Sequence, residues 1–134
     1  MITIQGKGVS SGIALGRIVF FQRSNFIAEK KAVTDTAAEV ERFKTACLSA
    51  AAQLDELATT TADNVGKKNA MLFEIHRMML FDTDYTDPVI ELIERQRVCA
   101  EYAVSESGGR LAQDFAEMDD EYMKERALDI RDVS

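Results

Sequence analysis

The residue best suited to chemistry is His76, the single histidine in a sequence of 134 residues. An imidazole can accept a phosphoryl group, ligate a metal ion or act as a base for a nucleophile. The sequence around it, from Phe73 to Leu80, offers no second histidine, cysteine or serine, so neither a metal site nor a nucleophile–base pair is predicted. We interpret His76 as a packed or hydrogen-bonded residue on a helix flank. A phosphoacceptor role is the alternative.

A cluster of glycines at Gly6, Gly8 and Gly12 is a second candidate, for binding phosphate. A phosphate-binding loop needs a helix directly after its glycines, so that backbone N–H groups meet the anion. Here Gly16 and then the β-branched and aromatic run at 17–21 follow instead. This pattern predicts a short β-hairpin within residues 1–25.

Composition limits the class of protein. Sixteen basic residues against 23 acidic ones give a net charge of −7, which argues against nucleic acid as a partner. No apolar run approaches the ~18 residues of a membrane span, and the N-terminus lacks a signal-peptide pattern. Cys47 and Cys99 lie in apolar-periodic stretches and are predicted to be buried, reduced thiols. We therefore expect a soluble, cytoplasmic protein that uses neither nucleic acid nor a membrane as a partner.

From residue 36 onward the apolar spacing is helical. Thr36 and Glu39 predict a capping box at the start of a helix of at least six turns. A second helix is predicted over about 67–81, and a third is predicted to begin at Asp87 and Pro88, an N-cap residue followed by proline. Two more are predicted over 100–118 and from 119–120 to 133. The fold class is therefore mainly α, an antiparallel helical bundle over 26–134 preceded by the short hairpin.

The predicted helix over 67–81 has an apolar face about twice as wide as a bundle helix needs. It either lies at the centre of the bundle or offers a second apolar face to a partner. The methionines in that face favour an adaptable docking surface. The residues on one side of the helix wheel are Met71, Leu72, Ile75, Met78 and Met79.

Two segments resemble one known family. Residues 8–16 are similar to the opening strand and turn of Enzyme I of the bacterial phosphoenolpyruvate:sugar phosphotransferase system, and residues 119–132 are similar to its aspartate-rich stretch. Between them, the patterns at 39–43 and 73–80 fall where that family has such residues. Ser11 departs from the proline that the family usually has before Gly12.

The resemblance implies a helical subdomain inserted into a β/α phosphohistidine domain, with residues 1–25 as its first strands. In the family, the phosphoacceptor histidine lies downstream in a Gly-Gly-x-Thr-Ser-His motif, and the phosphoenolpyruvate site with its magnesium lies in a later barrel domain. Gly108 and Gly109 are followed by Arg110 and Leu111, so they are not that motif. We therefore expect this chain to hold no cofactor or metal and to be inactive alone, although the family is a transferase.

The partner that the resemblance implies is HPr, the small phosphocarrier protein, which presents apolar residues ringed by basic ones. Lys67 and Lys68 stand where family members often carry acids, which suggests a paralogue or a differently charged cognate carrier. The predicted HPr-binding residues are Met71, Leu72, Ile75, Met78, Met79, Asp82, Asp84, Tyr85, Met123 and Arg126.

Several alternatives stay open. The chain could be the equivalent segment of a nitrogen-branch or dihydroxyacetone-kinase-linked phosphotransferase, a stand-alone helical phosphotransfer protein using His76, or a structural dimerisation bundle. Self-association is a further expectation, because the apolar run at 18–21 would be an unpaired strand edge.

Overall fold

The computed structural model describes residues 5–8, 11–13, 15–17, 19 and 28–134. This part of the chain contains five helices and no β-strand, only an isolated antiparallel bridge between Ala32 and Val98. The prediction of a mainly α fold is confirmed. The helices are α1 (Thr36–Asn64), α2 (Lys67–Met79), α3 (Thr83–Gln96), α4 (Ala100–Glu117) and α5 (Glu121–Val133).

The predicted hairpin over 1–25 lies mostly outside the described residues. Those of its residues that are described are not in a strand, so the hairpin is not supported. Two strands without further partners bury too little surface to be stable in water. The predicted self-association through 18–21 concerns a segment of which only Val19 is described, and it has no support either.

The start of α1 differs from the predicted capping box. Asp35 is the N-cap, and its Oδ1 accepts a hydrogen bond from the backbone N of Ala38 at 2.9 Å. The carboxylate of Glu39 turns away from the helix start and accepts from the backbone N of Ala100, the first residue of α4, at 2.7 Å. The predicted pairing of Thr36 with Glu39 is therefore wrong, because a tertiary contact takes the side chain that the local motif needs.

The start of α3 is also earlier than predicted. Asp82 is the N-cap, and its Oδ1 accepts from the backbone N of Asp84 at 2.9 Å, so the helix begins at Thr83. Pro88 lies inside α3 and not at its first position. A proline at this point removes one N–H, whose acceptor would be the carbonyl of Asp84 in the exposed first turn, and the helix tolerates that loss.

Packing around α1 holds the bundle together. α1 contacts α2, α3 and α4, while α5 packs against α4 and α2. Val89 and Ile93 of α3 are completely buried between these helices. Connections of two or three residues between several helices agree with antiparallel neighbours. The main core consists of Val40, Phe43, Cys47, Ala51, Leu80, Tyr85, Val89, Ile93, Val98, Ala100 and Ala103.

A cluster of three charged side chains connects α1 to the start of α4. It consists of Glu39, Arg42 and Glu101. The guanidinium of Arg42 donates to both oxygens of Glu101, at 2.9 and 2.7 Å, and to Oε1 of Glu39 at 2.6 Å. These hydrogen bonds raise the pKa of Arg42. They lower the pKa of Glu39, and they lower the pKa of Glu101 to about 2. All three groups are thus charged at neutral pH.

The two cysteines, Cys47 and Cys99, are buried and free, as predicted. Burial raises the pKa of the Cys47 thiol. The described helices include none that is long and apolar enough to cross a membrane.

Candidate functional site

Helix α2 has one buried side and one exposed side, both largely apolar. Ala70 and His76 are buried, as is Leu80 directly after the helix. On the other side Met71 is 56% exposed and Met78 is 70% exposed. Of the two predictions for this helix, the central buried position is wrong and the exposed second apolar face is confirmed, while a partner on that face stays a prediction.

We call this surface the α2 face, made up of Met71, Leu72, Ile75, Met78 and Met79. Leu72 is 45% exposed, while Ile75 and Met79, along the middle of the stripe, are half-buried. Residues three and four apart share one side of a helix, so the five side chains form one continuous strip. Large apolar side chains grouped in this way, with charged residues at their rim, are typical of a protein-binding surface.

The two ends of the α2 face carry opposite charges. Lys67 and Lys68 are exposed in the first turn of α2. Asp82 and Asp84 are exposed just beyond its other end, at the start of α3. A helix rises 1.5 Å per residue, so roughly 20 Å separate the basic end from the acidic end.

Tyr85 does not lie on this surface. Its side chain is 4% exposed in the main core, and its hydroxyl donates to the carbonyl of Val133 at 3.4 Å. Burial raises the pKa of this phenol. The prediction of Tyr85 as an HPr-binding residue assumed that the third helix begins after it, at Asp87; α3 instead begins at Thr83, and the Tyr85 ring is buried.

Beyond its acidic end, the α2 face borders a small cavity of about 60 Å³. Met79, Asp82 and Asp84 line it together with the buried Tyr85 and with residues of α4 and α5. Two of those, Leu111 and Phe115, were not predicted as site residues. Their spacing of four residues places both on one side of α4, which the sequence does show. No local pattern, however, indicates that this side of α4 meets Met79 of α2.

Helix α5 contributes a hydrogen-bonded chain next to α2. Arg126 donates from Nη1 to Asp129 Oδ2 at 2.9 Å and from Nη2 to the Tyr122 hydroxyl at 2.8 Å. Its guanidinium also lies 4.8 Å from the centre of the Tyr122 ring. The hydrogen bonds to Tyr122 and Asp129 raise the pKa of Arg126. Met123, another predicted site residue, is half-buried one turn before Arg126.

His76 is the link between α2 and this chain. Its Nε2 lies 3.3 Å from Asp129 Oδ1, and the residue is 7% exposed. The prediction of a packed, hydrogen-bonded histidine is confirmed. A buried ring with one nitrogen on Asp129 is poorly placed to meet a phosphoryl donor, which counts against a phosphoacceptor role.

Within the described part of the chain, no group of three or more histidine, cysteine, aspartate or glutamate residues could hold a metal ion. These residues therefore do not fit the magnesium that the resemblance implies for the full-length family.

Comparison with known proteins gives consistent matches. Residues 5–126 match the family described as "PEP-utilising enzyme, N-terminal". The chain is 39% identical over 132 residues to the phosphoenolpyruvate-protein phosphotransferase of Bacillus sp. (strain S), covering 98% of this chain and 23% of the relative. It is 36% identical over 134 residues to the enzyme of the same name from Bacillus subtilis (strain 168), covering 100% of this chain and 24% of the relative. The chain thus spans about a quarter of the length of these relatives.

Two solved structures have the same fold. One, a solution structure of Enzyme I, has a TM-score of 0.74 and 27% identity, covering 78% of this chain and 43% of that one. The other, titled as the N-terminal domain of the nitrogen Enzyme 1, has a TM-score of 0.71 and 28% identity, covering 79% and 44% of the two chains. With the family match spanning most of the sequence, the chain belongs to the N-terminal family of PEP-utilising enzymes.

Proposed function

We propose that this chain is the HPr-docking part of a phosphoenolpyruvate–protein phosphotransferase of the Enzyme I type. Such an enzyme passes phosphate from phosphoenolpyruvate, through a histidine, to HPr. The observation that carries the proposal is the α2 face, an exposed apolar strip on a helix whose opposite side is buried. The names of the relatives support the transferase part of the proposal. Residues 26–134 would form the docking subdomain, in a cytoplasmic protein.

Docking would use apolar contact for affinity and charged groups for orientation. Met71, Leu72 and Met78 would make the central contacts, because they are the most exposed apolar residues of the α2 face. Arg126 would lie at its α5 edge, held by Asp129 and Tyr122, so that little side-chain freedom is lost on binding. Of the predicted residues, only Tyr85 is excluded from direct contact.

Chemistry would reside elsewhere in the parent enzyme. The one histidine of these 134 residues, His76, is buried against Asp129. We expect incubation with phosphoenolpyruvate, magnesium and HPr to leave this chain unphosphorylated. Acid-labile phosphate recovered on His76 would refute this and favour the stand-alone phosphotransfer alternative.

The docking test is calorimetric titration of the chain with HPr from the same organism. Met78→Asp should weaken binding by about 2 kcal/mol or more, because it places an unpaired charge in a desolvated contact. Leu48→Asp is the matched control: Leu48 is 62% exposed, but it lies on α1. Its substitution should leave the affinity unchanged.

Amide chemical shifts locate the contact independently. Addition of HPr should move resonances of α2, of the α3 start and of residues 120–126. Shifts confined to residues 36–60, or equal losses of affinity in the two variants, would contradict the proposal.

A nitrogen-branch enzyme is the second candidate, because a nitrogen Enzyme 1 domain resembles this chain about as closely as the Enzyme I domain does. Titration with the HPr-type carriers of both branches separates the two. Tighter binding to the nitrogen-branch carrier would favour this second candidate.

A further inference from the structure

We infer that the α2 face selects a carrier with charges of both signs: an acidic group opposite Lys68 and a basic group opposite Asp84. This inference rests on the proposed docking function and adds the charge pattern that the partner must have. It is carried by the exposed charges at the two ends of one apolar strip.

Lys68 is the central charge of the basic end. On a helix wheel it lies on the same side as Ile75 and Met79, so its side chain continues the axis of the apolar strip. Lys67 lies at the flank of the strip, lining a cleft that it shares with the acidic residues Asp63 and Glu74. Lys68 thus contributes more of the positive potential that a docked partner would meet.

The lysines at this end are not used inside the bundle. Within the described residues, the lysine ion pairs are those of Lys31, Lys44 and Lys124. Lys67 and Lys68 are not among them, so both side chains are available to pair with an acidic group of an incoming partner. Their presence stands out against the net charge of −7 for the chain.

The position of these lysines is also unfavourable for the helix itself. The N-terminus of a helix carries partial positive charge, which favours acids and disfavours lysine. The first turn of α2 nevertheless contains no acid, and its N-cap, Gly66, provides no side-chain hydrogen bond. Lys67 and Lys68 therefore oppose the helix dipole at exposed positions where packing does not require a lysine. Residues that break a local rule in this way are often found at functional sites.

The opposite end reverses the sign. Asp82 and Asp84 stand exposed at the start of α3, and their two carboxylates make this end of the strip acidic. A uniformly basic partner would be attracted at this end and repelled by Lys68. A partner of mixed charge would be attracted at both ends and held in a single orientation along α2.

The test reverses one charge at each end and measures the dissociation constant for HPr of the same organism by calorimetry. Lys68→Glu and Asp84→Lys should each weaken binding by about 3–10-fold at low salt, because each turns an attraction into a repulsion. Both effects should disappear at about 0.5 M salt, where screening is strong. The control, Lys44→Glu, makes the same change of charge on α1 and should leave the constant within about twofold.

The outcomes separate the two proposals. If the unaltered chain binds HPr but Lys68→Glu tightens binding or leaves it unchanged, the mixed-charge inference is overturned and docking stands. The inference is likewise overturned if Asp84→Lys does not weaken binding. If the unaltered chain binds no HPr, the docking function and the inference both fail.

Discussion

Replacing Arg42 with methionine tests how the bundle is held together at the α1–α4 contact. The substitution keeps an apolar stem but removes the cation that bridges Glu39 and Glu101. We expect the free energy of unfolding at pH 7 to fall by about 2 kcal/mol. The two carboxylates contribute to this value differently, because their exposures differ.

Glu101 supplies the smaller part. Its pKa is lowered from an ordinary value of 4.5 to about 2, which would correspond to roughly 3 kcal/mol of stabilisation if solvent did not screen the interaction. Its side chain is 45% exposed, however, and solvent screening reduces such a pair to about 0.5–1 kcal/mol. The side chain of Glu39 is 13% exposed, and without Arg42 it keeps only the Ala100 N–H, which costs about 1–2 kcal/mol.

The cost of Arg42→Met should also depend on pH. Both carboxyls have lowered pKa values in the folded chain, so their stabilisation is complete above about pH 4.5 and is lost as the pH falls towards 2. Urea unfolding followed by circular dichroism at several pH values measures this. The difference between the variant and the unaltered chain should be largest at pH 7 and shrink steadily below pH 4.5.

A matched control is Arg95→Met. Arg95 forms a similar short ion pair, with Glu91 at 2.6 Å, but it is within one helix and strongly exposed. Its loss should cost less than about 0.5 kcal/mol. Equal costs for the two variants, or a cost of Arg42→Met that does not change with pH, would refute the reasoning.

Three further predictions concern the bundle, each measured by urea unfolding. Gly109→Ala should stabilise α4 by about 0.5–1 kcal/mol, because a Cβ at this position would meet only open space. Gly108→Ala should give no such gain, because its Cβ would overlap the side chain of Ser134, and equal gains for the two variants would contradict this reasoning. Ile93→Ala should cost about 2–5 kcal/mol, since the residue is completely buried, and a cost below about 1 kcal/mol would show that the core collapses around it. Asp129→Asn should cost about 1–2 kcal/mol, because it removes the carboxylate shared by His76 and α5, and no loss would mean that this link does not hold α2 in place.

Much of the helical pattern could be predicted because its causes are local. Apolar spacing of three and four residues located α1, α2 and α4, and Asp120 marked the start of α5, where its carboxylate accepts from the backbone N of Tyr122 at 2.8 Å. The width of the apolar stripe on α2 follows from its sequence alone, since the wheel of a helix is set by backbone geometry. The resemblance to Enzyme I likewise needed only short contiguous motifs.

Only the tertiary structure decided which partner each side chain meets. Glu39 stands three residues after Thr36, as a capping box requires, but its carboxylate accepts a hydrogen bond from the backbone N of Ala100, 61 residues away. His76 is paired with Asp129 across 53 residues, and the ring of Tyr85 is buried because α3 begins earlier than the proline suggested. Local sequence encodes which elements form and which of their faces are apolar. Which of those faces is covered depends on contacts between distant segments, because burial against a neighbouring helix is a property of the packed bundle.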